Sequence, residues 1–202
     1  MGCGNVSVIV EGEDAYIVAY DLPSENHKAI VNTKAYAKVR AVRVNCTYKL
    51  RDLGIQCTES VILVSPSRSN DIDNVVKEVI ESYNNLNKWL KDNGYIELPQ
   101  PIIKKIKLTA EQKEDFKTLA EMRVKEKLDE IIEGLVDLIN EIENIIDEER
   151  RRRLERNLEG RAKEAKRLEQ LAKEIGLETN NKFDLVFQLY NSAIEKLKEG
   201  SI

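Results

Sequence analysis

No proline occurs after Pro101 in this 202-residue chain. Nothing in its second half therefore forces a helix to break. Within that stretch Leu128, Ile131, Leu135, Leu138, Ile142 and Ile145 recur at alternating steps of three and four, which is one face of a helix. Ile132, Ile139 and Ile146 widen the stripe. A two-stranded coiled coil needs only a narrow seam, so the added column predicts a helix buried against two neighbours. Thr109 and Gln112 have the spacing of a capping box that opens the helix. Leu154, Leu158, Ala165, Leu168, Ala172 and Ile175 continue the helix or form a second one after a bend. Gly176 and Leu177 then read as a Schellman cap. Phe183, Val186, Phe187, Tyr190 and Ile194 mark a last helix. Residues 109–202 are thus expected to form an all-α bundle or coiled-coil domain, within one chain or between copies of it. A homo-oligomer through this half is the expected assembly.

Residues 1–108 carry a different pattern. Val6–Gly12 and Ala15–Asp21 read as strands, with Glu11–Asp14 as a hairpin turn. Ser24 is placed to cap a helix, whose face is Val31, Ala35, Val39, Val42, Cys46, Leu50 and Leu53. Gly54 reads as its left-handed stop. "IQCTESVILVSP" is β-branched and continuous, and reads as one strand. Ile72, Val76, Val79, Tyr83, Leu86 and Leu90 define a second helix, ended by Asn93-Gly94. The stretch from Tyr95 to Leu108 is extended, and Pro99 and Pro101 confine part of it to an edge or a turn. The fold class expected is α+β: a small mixed sheet with two long helices, followed by the helical half.

Charge divides along the same line. The chain carries a formal net charge of −4. Residues 1–110 hold 14 basic and 13 acidic groups, and residues 111–202 hold 18 and 23. Yet seven Lys or Arg and no Asp or Glu lie between Asn26 and Arg51. On a helix, Lys34 and Lys38 flank the apolar stripe on one edge, with Arg40, Arg43 and Arg51 on the other. Tyr36 and Tyr48 lie nearby. Cations so arranged neutralise phosphates, and tyrosines stack on bases. The bland counterpart is a solvated helix docked on the acidic half.

"YIVAYDLPSEN", a helix, and then "LRDLGIQCTESVILVSP" resemble the small ferredoxin-like proteins related to CRISPR-associated protein two and virulence-associated protein D. Tyr20 and Asp21 match the strand end of that family, and Gly54, Gln56, Ser60 and Val61 match its later strand. The resemblance spans Ala15 to Leu108. It implies a ferredoxin-like fold, with Asp21 as ligand of a divalent metal and magnesium as cofactor of a nuclease. Asp14 or Glu25 would supply a second carboxylate. The bland role of Asp21 is to open the "DLPSEN" turn. The family has a β-hairpin between its two helices, where this sequence shows one strand.

A second basic cluster, "EERRRRLER", places Arg152 and Arg153 as phosphate contacts, or as partners of Glu148 and Glu149 one turn earlier. "LEQLAKEIGLETNNKFDLVFQL" mimics a helix-turn-helix, but its last helix offers few base-reading groups. Nucleotide-binding loops, nucleophile elbows and zincin motifs are absent. The one histidine, His27, has no accompanying nucleophile motif. Three cysteines (Cys3, Cys46 and Cys57) without CxxC spacing predict a reduced, cytoplasmic setting. No apolar run reaches the ~20 residues of a membrane helix. Gly2 and Cys3 lack the Ser or Thr of a myristoylation site, since Val6 stands there. The Lys, Glu and Ile bias fits a thermophile. The expected function is a non-enzymatic nucleic-acid-binding protein without cofactor, possessing a helical oligomerisation or docking half. A magnesium nuclease using Asp21 and a structural assembly protein are the alternatives.

Overall fold

The computed structural model describes residues 14–142 except 29 and 32, together with 148–177 and 181–199. Four strands form one sheet: β1 (Tyr16–Asp21), β2 (Gly54–Thr58), β3 (Val61–Val64) and β4 (Ile102–Lys107), in the order β2-β3-β1-β4. All three pairings are antiparallel. Helices α1 (Tyr36–Arg51) and α2 (Ile72–Asp92) link β1 to β2 and β3 to β4. This β-α-β-β-α-β order is the ferredoxin-like arrangement. Three helices follow: α3 (Ala110–Ile142), α4 (Glu148–Ile175) and α5 (Asn181–Glu199). The fold is α+β, with a packed helical bundle after the sheet.

Side chains alternate across a strand, and the sheet uses both faces. Val18, Tyr20, Ile62 and Val64 pack with α1 and α2 residues such as Val39, Leu50, Val79 and Tyr83. Ile17, Ile55, Cys57 and Leu63 face the other way, into a core shared with α3, α4 and α5. There Leu128, Ile131, Leu135, Leu138 and Ile142 are buried, with Ile132 and Ile139 partly so. The wide isoleucine-leucine stripe is therefore covered within the chain by α4 and α5. Ile145 and Ile146 lie outside the described residues.

Several local readings hold at atomic detail. The Thr109 amide donates to Gln112 Oε1 at 3.0 Å, and the Gln112 amide to Thr109 Oγ1 at 3.3 Å. Gly176 has φ 76° and the Leu177 amide donates to the Ala172 carbonyl at 2.9 Å, a Schellman closure. Gly94 closes α2 in the same way, with Tyr95 N–H on the Leu90 carbonyl.

Three readings are corrected. The helix expected from Ser24 begins at Tyr36. Before it the backbone makes separate turns, such as Ile30 N–H to the His27 carbonyl at 2.8 Å and Thr33 N–H to the Ile30 carbonyl at 3.0 Å. They bury Ile30 in place of Val31, which is exposed. The single strand from Ile55 to Val64 is a hairpin, turned at Glu59-Ser60. Gly54 is no left-handed stop: it belongs to β2, where a Cβ would press into the Leu63 carbonyl oxygen. The strand Val6–Gly12 lies outside the described residues.

Candidate nucleic-acid interface

Helix α1 lies over the sheet with Val39, Cys46 and Leu50 inward. Its basic residues divide into two sets. Arg43 turns to Glu25, which is only 4% exposed, and binds both its carboxylate oxygens. Burial pushes the Glu25 carboxyl up, but a backbone amide and the Arg43 guanidinium outweigh it and hold it below the usual carboxylate range. Lys49 pairs with Glu78 of α2, which raises its ammonium. These two cations are structural.

Lys34, Lys38 and Arg40 are exposed, and no carboxylate lies within ion-pair distance of any of them among the described residues. At 100° per residue, Ala37, Ala41, Val44 and Tyr48 fill the outermost strip of the helix. Lys38 edges it on one side, Arg40 and Arg51 on the other, and Lys34 stands in the turn just before the helix. Ala37 and Ala41 are short, so the cations on both sides stand proud of the helix.

Aromatic groups stand beside the cations, though only in part those expected. Tyr36 is half-buried and Tyr48 is 63% exposed. The Lys38 ammonium lies 5.8 Å from the centre of the Trp89 ring, close enough for a cation–π attraction. Trp89 in turn stacks on Tyr95, centroids 6.1 Å apart. Sequence reasoning missed this pair. The lone tryptophan next to Leu90 of the core stripe was the available signal, but its approach to Lys38 is set by α1 packing on α2.

The acidic helices do not cover this surface. The bundle packs on the opposite face of the sheet, chiefly against β2. Near the C-terminal end of α1 the two meet: Arg167 of α4 pairs with Asp52 at 2.9 Å and donates to the Arg51 carbonyl. Arg51 lies beside that contact. Among the described residues its side chain makes no hydrogen bond or ion pair, and its Nε is buried without a partner.

In the second cluster, Arg152 pairs with Glu148 at 3.4 Å, the expected one-turn spacing. Arg151 meets Glu155 and the Leu197 carbonyl. Arg153 is exposed and carries no ion pair among the described residues. The helix-turn-helix mimic buries its second helix, with Phe183 and Val186 in the shared core and Lys182 paired with Asp129 of α3.

Asp21 is exposed at the C-terminal end of β1. Glu25 is held by Arg43, and Asp14 sits at the far end of the same strand, bonded to Lys107 and the Tyr16 hydroxyl. Among the described residues no group of three metal-ligating side chains forms. Cys46 and Cys57 are buried, and burial pushes the Cys57 thiol up to about 11. Among the described residues no helix is long and apolar enough to cross a membrane. Comparison of the chain with family models, curated proteins and solved structures finds no match to any of them.

Proposed function

We propose that the chain is a non-enzymatic nucleic-acid-binding protein whose α1 helix meets the sugar-phosphate backbone. One observation carries the reading. Lys34, Lys38 and Arg40 lie close together in the chain, exposed, with no carboxylate within ion-pair distance among the described residues. Unpaired cations on one helix and the turn that leads into it are the groups that release counterions from a phosphate backbone. Trp89, Tyr95 and Tyr48 add flat rings that suit unpaired bases, which favours a single strand over a duplex. The bundle braces the other face of the sheet, and its acidic surface serves to dock a partner.

Salt dependence tests this. Each phosphate contact contributes about −0.7 to the slope of log affinity against log salt on a single strand. The double substitution Lys38→Gln, Arg40→Gln is expected to weaken binding on every sequence and flatten the slope by roughly 1.4. Trp89→Ala weakens single-strand binding and leaves duplex binding unchanged. Unaltered affinity and slope in the double variant would remove the proposal.

A further inference from the structure

A cleft of about 290 Å³ lies where the end of α1 meets β2, α3 and α4. Four cations line it: Arg51, Arg123, Lys127 and Arg167. Glu164 is its one lining carboxylate. Three of the cations are held in place by neighbours. Arg123 pairs with Glu126 at 2.7 Å, Lys127 with Glu130 at 2.6 Å and Glu164 at 3.7 Å, and Arg167 with Asp52 at 2.9 Å. Arg51 has no such partner, and its Nε–H is buried with no acceptor.

We propose that this cleft binds a phosphomonoester, anchored by Arg51. A buried donor without an acceptor is rare in folded proteins, because its desolvation goes uncompensated. The acceptor that suits the planar guanidinium fork is anionic, with two oxygens to receive its N–H groups. A phosphomonoester presents such oxygens and carries close to two negative charges near neutrality, and Arg51 is the lining cation whose charge no carboxylate at ion-pair distance offsets among the described residues. The negative end of α1 opposes an anion there; Arg167 offsets it by donating to the Arg51 carbonyl. Tyr48, at the rim, offers its exposed ring to a base attached to the phosphate. The ligand is thus a free nucleoside monophosphate or the phosphorylated end of a strand. The site stands on Arg51 and the cleft, and does not require the α1 surface to bind nucleic acid.

Calorimetry on the full chain tests it, with AMP, inorganic phosphate and adenosine as probes. AMP and phosphate are expected to bind and adenosine not. Arg51→Gln should weaken AMP by about tenfold or more. Arg51→Lys, which keeps the stem and charge but not the fork, should weaken it less. Tyr48→Ala should weaken AMP and spare phosphate. A 5′-phosphorylated oligonucleotide binding more tightly than its 5′-hydroxyl twin identifies a strand end as the source; equal binding of the two, with AMP still bound, identifies the free nucleotide. Absence of AMP and phosphate binding overturns the proposal. So does undiminished AMP binding in both Arg51 variants, since solvent then satisfies the guanidinium.

Discussion

Arg43 grips Glu25 with two parallel bonds, Nε to Oε2 at 2.8 Å and Nη2 to Oε1 at 3.2 Å. The pair fastens the turns that precede α1 to the helix itself. It also removes one arginine from the positive face that the sequence suggested. Arg43→Gln leaves a buried carboxylate short of its charged partner, a loss of about 1–3 kcal/mol, towards the low end because the Arg43 side chain is 38% exposed. Urea unfolding measures it. The same bond sets a pH dependence. The Glu25 carboxyl titrates below its ordinary range when folded, so its contribution is complete above about pH 4.3 and disappears as pH falls through the folded value. A Glu25→Gln chain is expected to show a shallower loss of stability in acid than the parent.

Two glycines separate two kinds of cost. A Cβ on Gly54 runs into the Leu63 carbonyl, part of the ladder partner β3. Backbone cannot swing aside as a side chain can, so Gly54→Ala should cost about 2 kcal/mol or more. Gly94 has open space around it and only its φ of 76° to lose. Gly94→Ala should cost roughly 1 kcal/mol. Denaturant titration of both variants gives the order; equal costs would contradict the close approach at Gly54.

Asn87 is a buried polar residue that no pattern announced. Its amide donates to the Leu98 carbonyl and its Oδ1 accepts the Leu98 amide, both at 2.9 Å. It thereby satisfies the backbone of a segment that follows α2 and belongs to no strand. Asn87→Leu keeps the branched heavy-atom skeleton and abandons two buried backbone groups. The expected loss is about 2 kcal/mol or more, a fall of roughly 4–8 °C in Tm for a chain of this size.

What the sequence revealed, and what it hid, follows the range of the forces involved. Helix faces and caps rest on contacts within a turn or two, so the stripe Leu128–Ile142 and the Thr109–Gln112 box were legible. The hairpin at Glu59-Ser60 was not, since the run from Ile55 to Val64 holds neither the Asn-Gly nor the Asp-Gly that marks a tight turn. The start of α1 was misplaced because Glu25 and Pro23 answer to distant groups: Arg43 in one case, and in the other the Tyr83 hydroxyl, which donates to the Pro23 carbonyl at 2.9 Å. At the candidate interface, periodicity located Lys34, Lys38 and Arg40. It had no means of telling them from Arg43, whose partner is 18 residues away, or of bringing Trp89 to Lys38.

β1 is the first described strand in the chain, and it is bonded to β4 along its whole length from Tyr16 to Asp21. During synthesis it must therefore wait until Lys107 has left the ribosome. Its other duty takes longer, because Ile17 joins a core completed only by Leu197 of α5. At about 5–20 residues per second, the core over Ile17, Ile55 and Leu63 stays incomplete for roughly 5–18 s after β4 is made. For that interval the nascent chain presents an apolar β surface to its neighbours, and chaperone capture competes with the arrival of its own helices.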